Sequence, residues 1–201
     1  MRLHYFPWSV NSRRAVVTAK HLATDVELAV VDLAKGAQRN DAFLKMNPNG
    51  KVPVLEDDDF VLWESHAIQQ YLADKTPGQT IYPTELRARA DVNRWLFWSA
   101  HHFTPAVSIL SFEHRVKAFR GLGPADPAMV KRGEDQVIDL ARMLDRHLDG
   151  KTWIAQDRVT LADLAIAPAL AIREEAKLPV GDFPRLLRWF ERVESLPAWN
   201  A

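Results

Sequence analysis

Cysteine is absent from all 201 residues. That removes structural disulfides, thiolate zinc sites and cysteine nucleophiles together, so any thiol chemistry here needs a thiol brought in by a ligand. An excess of either charge is also missing: Lys+Arg and Asp+Glu both number 26. Residues 1–76 carry 9 basic and 10 acidic side chains, and the remainder 17 and 16. Neither part is polarised, which argues against nucleic acid or an anionic membrane as the main partner. No apolar run approaches the ~20 residues of a membrane span. The N-terminus opens on a strand-like segment rather than an apolar leader, so the expected location is cytoplasmic. Internal repeats and low-complexity tracts are lacking as well. With 47% hydrophobic residues, the chain fits one large domain or two small ones.

What is present divides near residues 75–85. Arg2-Leu3-His4-Tyr5-Phe6 reads as a strand ended by Pro7. Cap-type residues Ser9, Asn11 and Ser12 precede a helix over Arg13 to Lys20. A strand over Val26 to Val31 and a short helix over Asp41 to Met46 follow. Val54-Leu55 and Val61-Leu62 form a hairpin around Asp57-Asp58-Asp59, and Ser65 to Ala73 is a helix. This βαβ-then-αββα order predicts a small mixed sheet with helices on both faces. Lys75-Thr76-Pro77-Gly78-Gln79 is the clearest break in the chain. Beyond it only helices are expected: Leu86 to about Arg115, Met129 to Leu148, Thr160 to Ile172 and Phe183 to Leu196, with Pro168 set to kink or end the third.

The most informative stretch is Asn47-Pro48-Asn49-Gly50-Lys51-Val52-Pro53-Val54-Leu55, followed by Leu62-Trp63-Glu64-Ser65. Pro53 has no N–H, so it begins a strand or sits at an edge and leaves the Val52 backbone free to pair with a guest peptide. Glu64-Ser65 offers a carboxylate, a hydroxyl and a helix start, whose N–H groups and dipole bind carboxylates. The combination suits a small extended peptide carrying both a carboxylate and an amino group, of which glutathione is an example.

These pieces resemble the cytosolic glutathione transferases over the whole chain. The resemblance rests on Pro7-Trp8-Ser9-Val10-Asn11-Ser12-Arg13, Asp41 to Pro48, Val52-Pro53, Glu64-Ser65, Tyr82-Pro83 and Thr160-Leu161-Ala162-Asp163, with a bacterial theta/phi-like texture of the serine type. It implies a thioredoxin-like α/β domain over 1–76, a linker over 77–85 and an all-α domain over 86–201. It implies that Pro53 follows a cis bond and that Val52 pairs with the cysteinyl part of glutathione. Ser65 then holds the γ-glutamyl carboxylate, Glu64 faces the α-amino group, and Gln38, Arg39 and Lys51 lie near the glycine end. Glutathione enters as co-substrate and no metal is called for.

A free thiol titrates near ~8.5. Lowering that by about two units takes roughly 2.7 kcal/mol. One hydrogen bond to the thiolate supplies about 1.5–3 kcal/mol and a helix start about 0.3–1 kcal/mol, so a single donor suffices without a general base. Ser9 matches the family's serine by its spacing to Arg13 and the first strand; Asn11 and then Tyr5 are the alternatives. As plain helix-capping residues, Ser9 and Asn11 would have no such role. The resemblance also places an electrophile pocket among Trp8, Trp98, His102, Phe103, Ile109 and Phe112, although aromatics at helical spacing equally serve as core. Thr160 to Asp163 is a capping box with a structural role. The chain ends at Ala201, soon after Leu196-Pro197-Ala198-Trp199, so the extra C-terminal helix of theta-like members is expected to be missing and the electrophile site open. The expected activity is attack of the glutathione thiolate on a small hydrophobic electrophile, or reduction of an organic hydroperoxide, in a homodimer. The alternative is a non-catalytic dimerisation or binding module with the same fold; intact Val52-Pro53, Glu64 and Ser65 favour the enzyme.

Overall fold

In a computed structural model describing residues 1–200, the backbone separates into two units: Met1–Tyr82 joined by the residues from Pro197 onward, and Pro83–Leu196. The first unit is built on β1 (Arg2–Tyr5), α1 (Val10–His21), β2 (Glu27–Val30), a 3₁₀ turn (Ala37–Arg39) and α2 (Asp41–Met46). It continues with β3 (Val54–Asp57), β4 (Phe60–Trp63) and α3 (Ser65–Lys75). The sheet order is β2-β1-β3-β4. β1 runs parallel to β2, with Leu3 opposite Leu28, and antiparallel to β3, with Leu3 opposite Leu55. The mixed sheet follows from the chain: a helix returns β2 parallel to β1, whereas the Asp58–Asp59 turn, with Asp58 at φ +53°, reverses β3 directly into β4.

Successive strand residues face opposite sides, and the two cores obey that rule. Leu3 and Leu55 pack with Ala15 and Ala19 of α1 and Ile68 and Leu72 of α3. Val54, one residue from Leu55, packs on the other side with Val31, Val52 and Phe43 of α2. Asn40 caps α2 by accepting from Phe43 N at 2.8 Å. Between α1 and α3 the buried Gln69 donates to the Thr18 hydroxyl at 2.9 Å. A feature absent from the sequence reading is a last helical turn, α10 (Pro197–Asn200), which belongs to this unit. Arg13 donates to the Trp199 carbonyl at 3.3 Å, and its guanidinium lies 4.3 Å from the Trp199 ring centre.

The second unit is helical. The pattern beginning at Leu86 is not one uniform helix. It runs as α4 (Leu86–Trp98), α5 (Thr104–Ser111) and α6 (Lys117–Arg120), joined by π-helical turns at Ser99–Phe103 and Phe112–Val116. Pro105 lies in the first turn of α5 and has no N–H to offer the preceding turn, a position the wider π turn accommodates. α7 (Pro127–His147) is capped by Asp126 and buries Val137, Ala141 and Leu144 as one stripe. Gly133 lets α7 approach α5: a Cβ there would stand 2.9 Å from Leu110 Cγ. α8 (Leu161–Leu170) is buried throughout and ends two residues beyond Pro168, and α9 (Pro184–Glu194) follows.

Two carboxylates cap helices from a distance. Asp145 of α7 accepts from Arg185 N at 2.7 Å and Leu186 N at 3.0 Å, in place of a local cap on α9. Glu113 accepts from Asp126 N at 2.7 Å and pairs with Lys117. The Thr160–Asp163 capping box is present. No helix among the described residues is long and apolar enough to cross a membrane.

Candidate active site

Four loops meet at one end of the sheet. β1 and β2 are parallel, so the segments after both leave from the same end. β3 is antiparallel to β1 and begins there, and β4, antiparallel to β3, ends there. The loops carry, in chain order, Trp8 to Asn11, Gln38-Arg39, Lys51-Val52-Pro53, and Glu64-Ser65. Because Val54 is in register with Trp63, Pro53 falls beside Glu64.

The first loop is a double turn. Ser9 N donates to Phe6 O at 3.0 Å, and Ser12 Oγ accepts from Phe6 N at 3.2 Å. Ser9 is the N-cap of α1, with Oγ accepting from Ser12 N at 3.2 Å. In that bond the serine uses a lone pair, so its own proton remains available to an outside acceptor. Capping and donation to a thiolate therefore coexist in one side chain. Asn11 is exposed, and its Oδ1 accepts from Arg14 Nη1, which leaves both amide hydrogens to donate. Tyr5 closes β1, before this loop.

Arg14 is the residue that sequence reasoning missed. It is fully buried, and burial lowers its pKa to about 9, so it remains a cation at neutral pH. A buried positive charge in the first turns of α1 adds to the positive end of the helix dipole where an anion would sit. The only signal in the sequence was its position three residues beyond Asn11, one helical turn away.

The third loop is braced from within. Buried Asn47 donates to Lys51 O at 2.7 Å and accepts from Asn49 N at 3.1 Å. The Val52–Pro53 peptide is cis. Gly50 has φ +60°, and a Cβ on it would stand 3.1 Å from both Gln38 O and Arg39 Nη1. Glycine is thus what lets Gln38 and Arg39 lie against the residue preceding Lys51. Gln38 Oε1 is buried and finds no partner among the described residues.

The fourth loop holds a strained residue. Glu64 has φ +75° and ψ 113°, a region that costs a non-glycine residue about 1–3 kcal/mol and persists only where its surroundings impose it. The turn exposes the Glu64 carboxylate and places Ser65, nearly buried, in the first turn of α3. No described cation pairs with Glu64. The remaining candidates sort by burial. Trp8 is 59% exposed on the Ser9 loop. Phe103 is fully buried and stacks on Trp98 at 5.4 Å, which places it in the helical core. Trp98 and Ile109 are half-buried, while His102 and Phe112 are exposed.

Comparison with known proteins bears on the family and the fold. The family model for the glutathione S-transferase N-terminal domain matches residues 1–74, and that for the C-terminal domain matches residues 102–197. Glutathione S-transferase 3 of Zea mays is 34% identical over 205 residues, spanning all of this chain and 91% of that protein. Glutathione S-transferase F10 of Arabidopsis thaliana is 32% identical, over 98% of this chain and 93% of its own. The crystal structure of glutathione transferase F7 from Populus trichocarpa superposes with a TM-score of 0.91 at 29% identity, covering 99% and 95% of the two chains.

Proposed function

The chain belongs to the glutathione S-transferase family, and from that membership we propose a serine-type transferase of the theta/phi-like kind, in which Ser9 activates the thiol of glutathione. The observation that carries the reading is the meeting of four loops at one sheet end, with the uncommitted Ser9 proton among them. The Val52 backbone pairs with the cysteinyl residue of glutathione. Ser65 and the start of α3 receive the γ-glutamyl carboxylate, Glu64 receives the α-amino group, and Gln38, Arg39 and Lys51 take the glycine carboxylate. In this scheme residues 1–76 bind glutathione and 86–201 form the helical domain, with 77–85 between them. The protein works as a cytoplasmic homodimer.

The thiol loses its proton to solvent, and Ser9 donates to the thiolate that remains. The start of α1 and the buried Arg14 cation add favourable potential, and Asn11 is a second donor. The sulfur lone pair then forms a bond to an electrophilic carbon as the leaving group departs with its electron pair. The electrophile is a small hydrophobic molecule, and Trp8, on the same loop as Ser9, supplies apolar surface beside the sulfur.

The test is a pH titration of thiolate absorbance for bound glutathione in wild type, Ser9→Ala and Asn11→Ala. The expected bound pKa lies about two units below ~8.5, and Ser9→Ala restores one to two units of it. Absence of binding at millimolar glutathione would leave a non-catalytic module of the same fold.

A further inference from the structure

The helical unit holds a cavity of about 230 Å³ between one face of α9 and the segment that follows α7. Its walls include Lys151, Arg185, Arg188 and Arg192, against a single carboxylate, Asp149. The three arginines sit at i, i+3 and i+7, on one face of α9. Like charges four apart weaken a helix, so the arrangement does not serve the helix itself. The chain as a whole carries zero formal charge, which makes this concentration a local feature.

Three of the four cations are held in place by their neighbours. Arg192 donates to Thr152 O at 3.0 Å, and Lys151 Nζ lies 3.3 Å from His147 Nδ1, contacts that fix each cation without neutralising it. Arg185 bonds Asp145 at 3.2 Å and Asp149 at 3.1 Å. Arg188 makes no hydrogen bond or ion pair among the described residues and has all its donors available. Planar guanidinium groups match phosphate oxygens two bonds at a time. At ~30 Å³ per water, the cavity has room for a phosphate or pyrophosphate with part of its hydration shell and is too small for a folded segment. We propose that this cavity binds a small phosphate-bearing anion, using none of the residues assigned to glutathione.

The experiment is calorimetric titration of inorganic phosphate and pyrophosphate into the full chain at low ionic strength, with and without saturating glutathione. It is repeated on Arg188→Gln and on Arg188→Gln/Arg192→Gln, each confirmed folded by circular dichroism. The expected result is pyrophosphate binding that is tighter than phosphate binding and unchanged by glutathione. It weakens about tenfold or more in Arg188→Gln, further in the double variant, and also with added salt. Transferase activity of Arg188→Gln stays at the wild-type level. No binding at 10 mM, binding displaced by glutathione, or binding retained in the folded double variant would each overturn the proposal.

Discussion

Replacing Asp163 by asparagine should destabilise the helical unit by about 2–4 kcal/mol. The carboxylate is fully buried, and all of its visible partners are donors. Oδ1 accepts from Ile154 N at 2.9 Å and Trp189 Nε1 at 2.8 Å. Oδ2 accepts from Thr160 N at 2.8 Å and Thr160 Oγ at 3.1 Å. An amide that keeps its oxygen toward Ile154 and Trp189 turns its NH₂ onto the Thr160 N–H. One buried donor is then orphaned, at about 1–3 kcal/mol, and the two surviving bonds each lose about 1 kcal/mol of charge assistance. Removing the cost of burying a charge offsets part of this, which gives the range stated. Urea unfolding followed by tryptophan fluorescence reads the difference. A variant within about 0.5 kcal/mol of wild type, or more stable, would mean that the amide leaves none of the four donors unpaired and would refute the reasoning.

The same pair carries a pH check. Burial holds the Asp163 pKa above the usual carboxylate value, with the hydrogen bonds pulling the other way. A raised folded pKa means that this group's contribution is complete below the unfolded value and is lost as pH rises through the folded one. The wild type should therefore gain on Asp163→Asn as pH falls into the carboxylate range.

Three further outcomes are expected. Burial lowers the pKa of His147, whose Nε2 lies 2.7 Å from Ile154 O, so its contribution is present above the unfolded value of ~6.5 and is lost as pH falls; the urea midpoint should drop between pH 7 and 5, less steeply in His147→Gln. Gly133→Ala gains about 1 kcal/mol of helix propensity but forces a Cβ to 2.9 Å from Leu110 Cγ, an overpacking of about 2 kcal/mol, so a net loss near 1 kcal/mol should appear in urea unfolding, and a gain would contradict the close α5–α7 approach. Trp199→Ala removes a 6%-exposed ring and the surface under Arg13, and should cost about 3 kcal/mol, read as earlier proteolysis and a lower unfolding midpoint than in Arg13→Lys.

Much of the molecule was determined by the sequence alone, because the signals are local. Val54-Leu55 and Val61-Leu62 around the Asp57-Asp58-Asp59 turn placed the hairpin, cap residues Ser9 and Thr160 marked helix starts, and the absence of cysteine excluded a protein thiol. The two-unit organisation was legible because strand periodicity stops before the Pro77-Gly78 break. Only the tertiary structure decided the rest. Arg14 reads as an ordinary surface arginine until α1 packs down and buries it. Asp145 and Glu113 cap helices 40 and 13 residues away, which no window of neighbouring residues contains. The strain at Glu64 arises where β4 must turn into α3, and the cationic cavity exists only because the end of α7 lies against α9. Propensity and local capping act over one or two turns of chain, whereas distant caps, burial, charge concentration and backbone strain belong to the assembled fold.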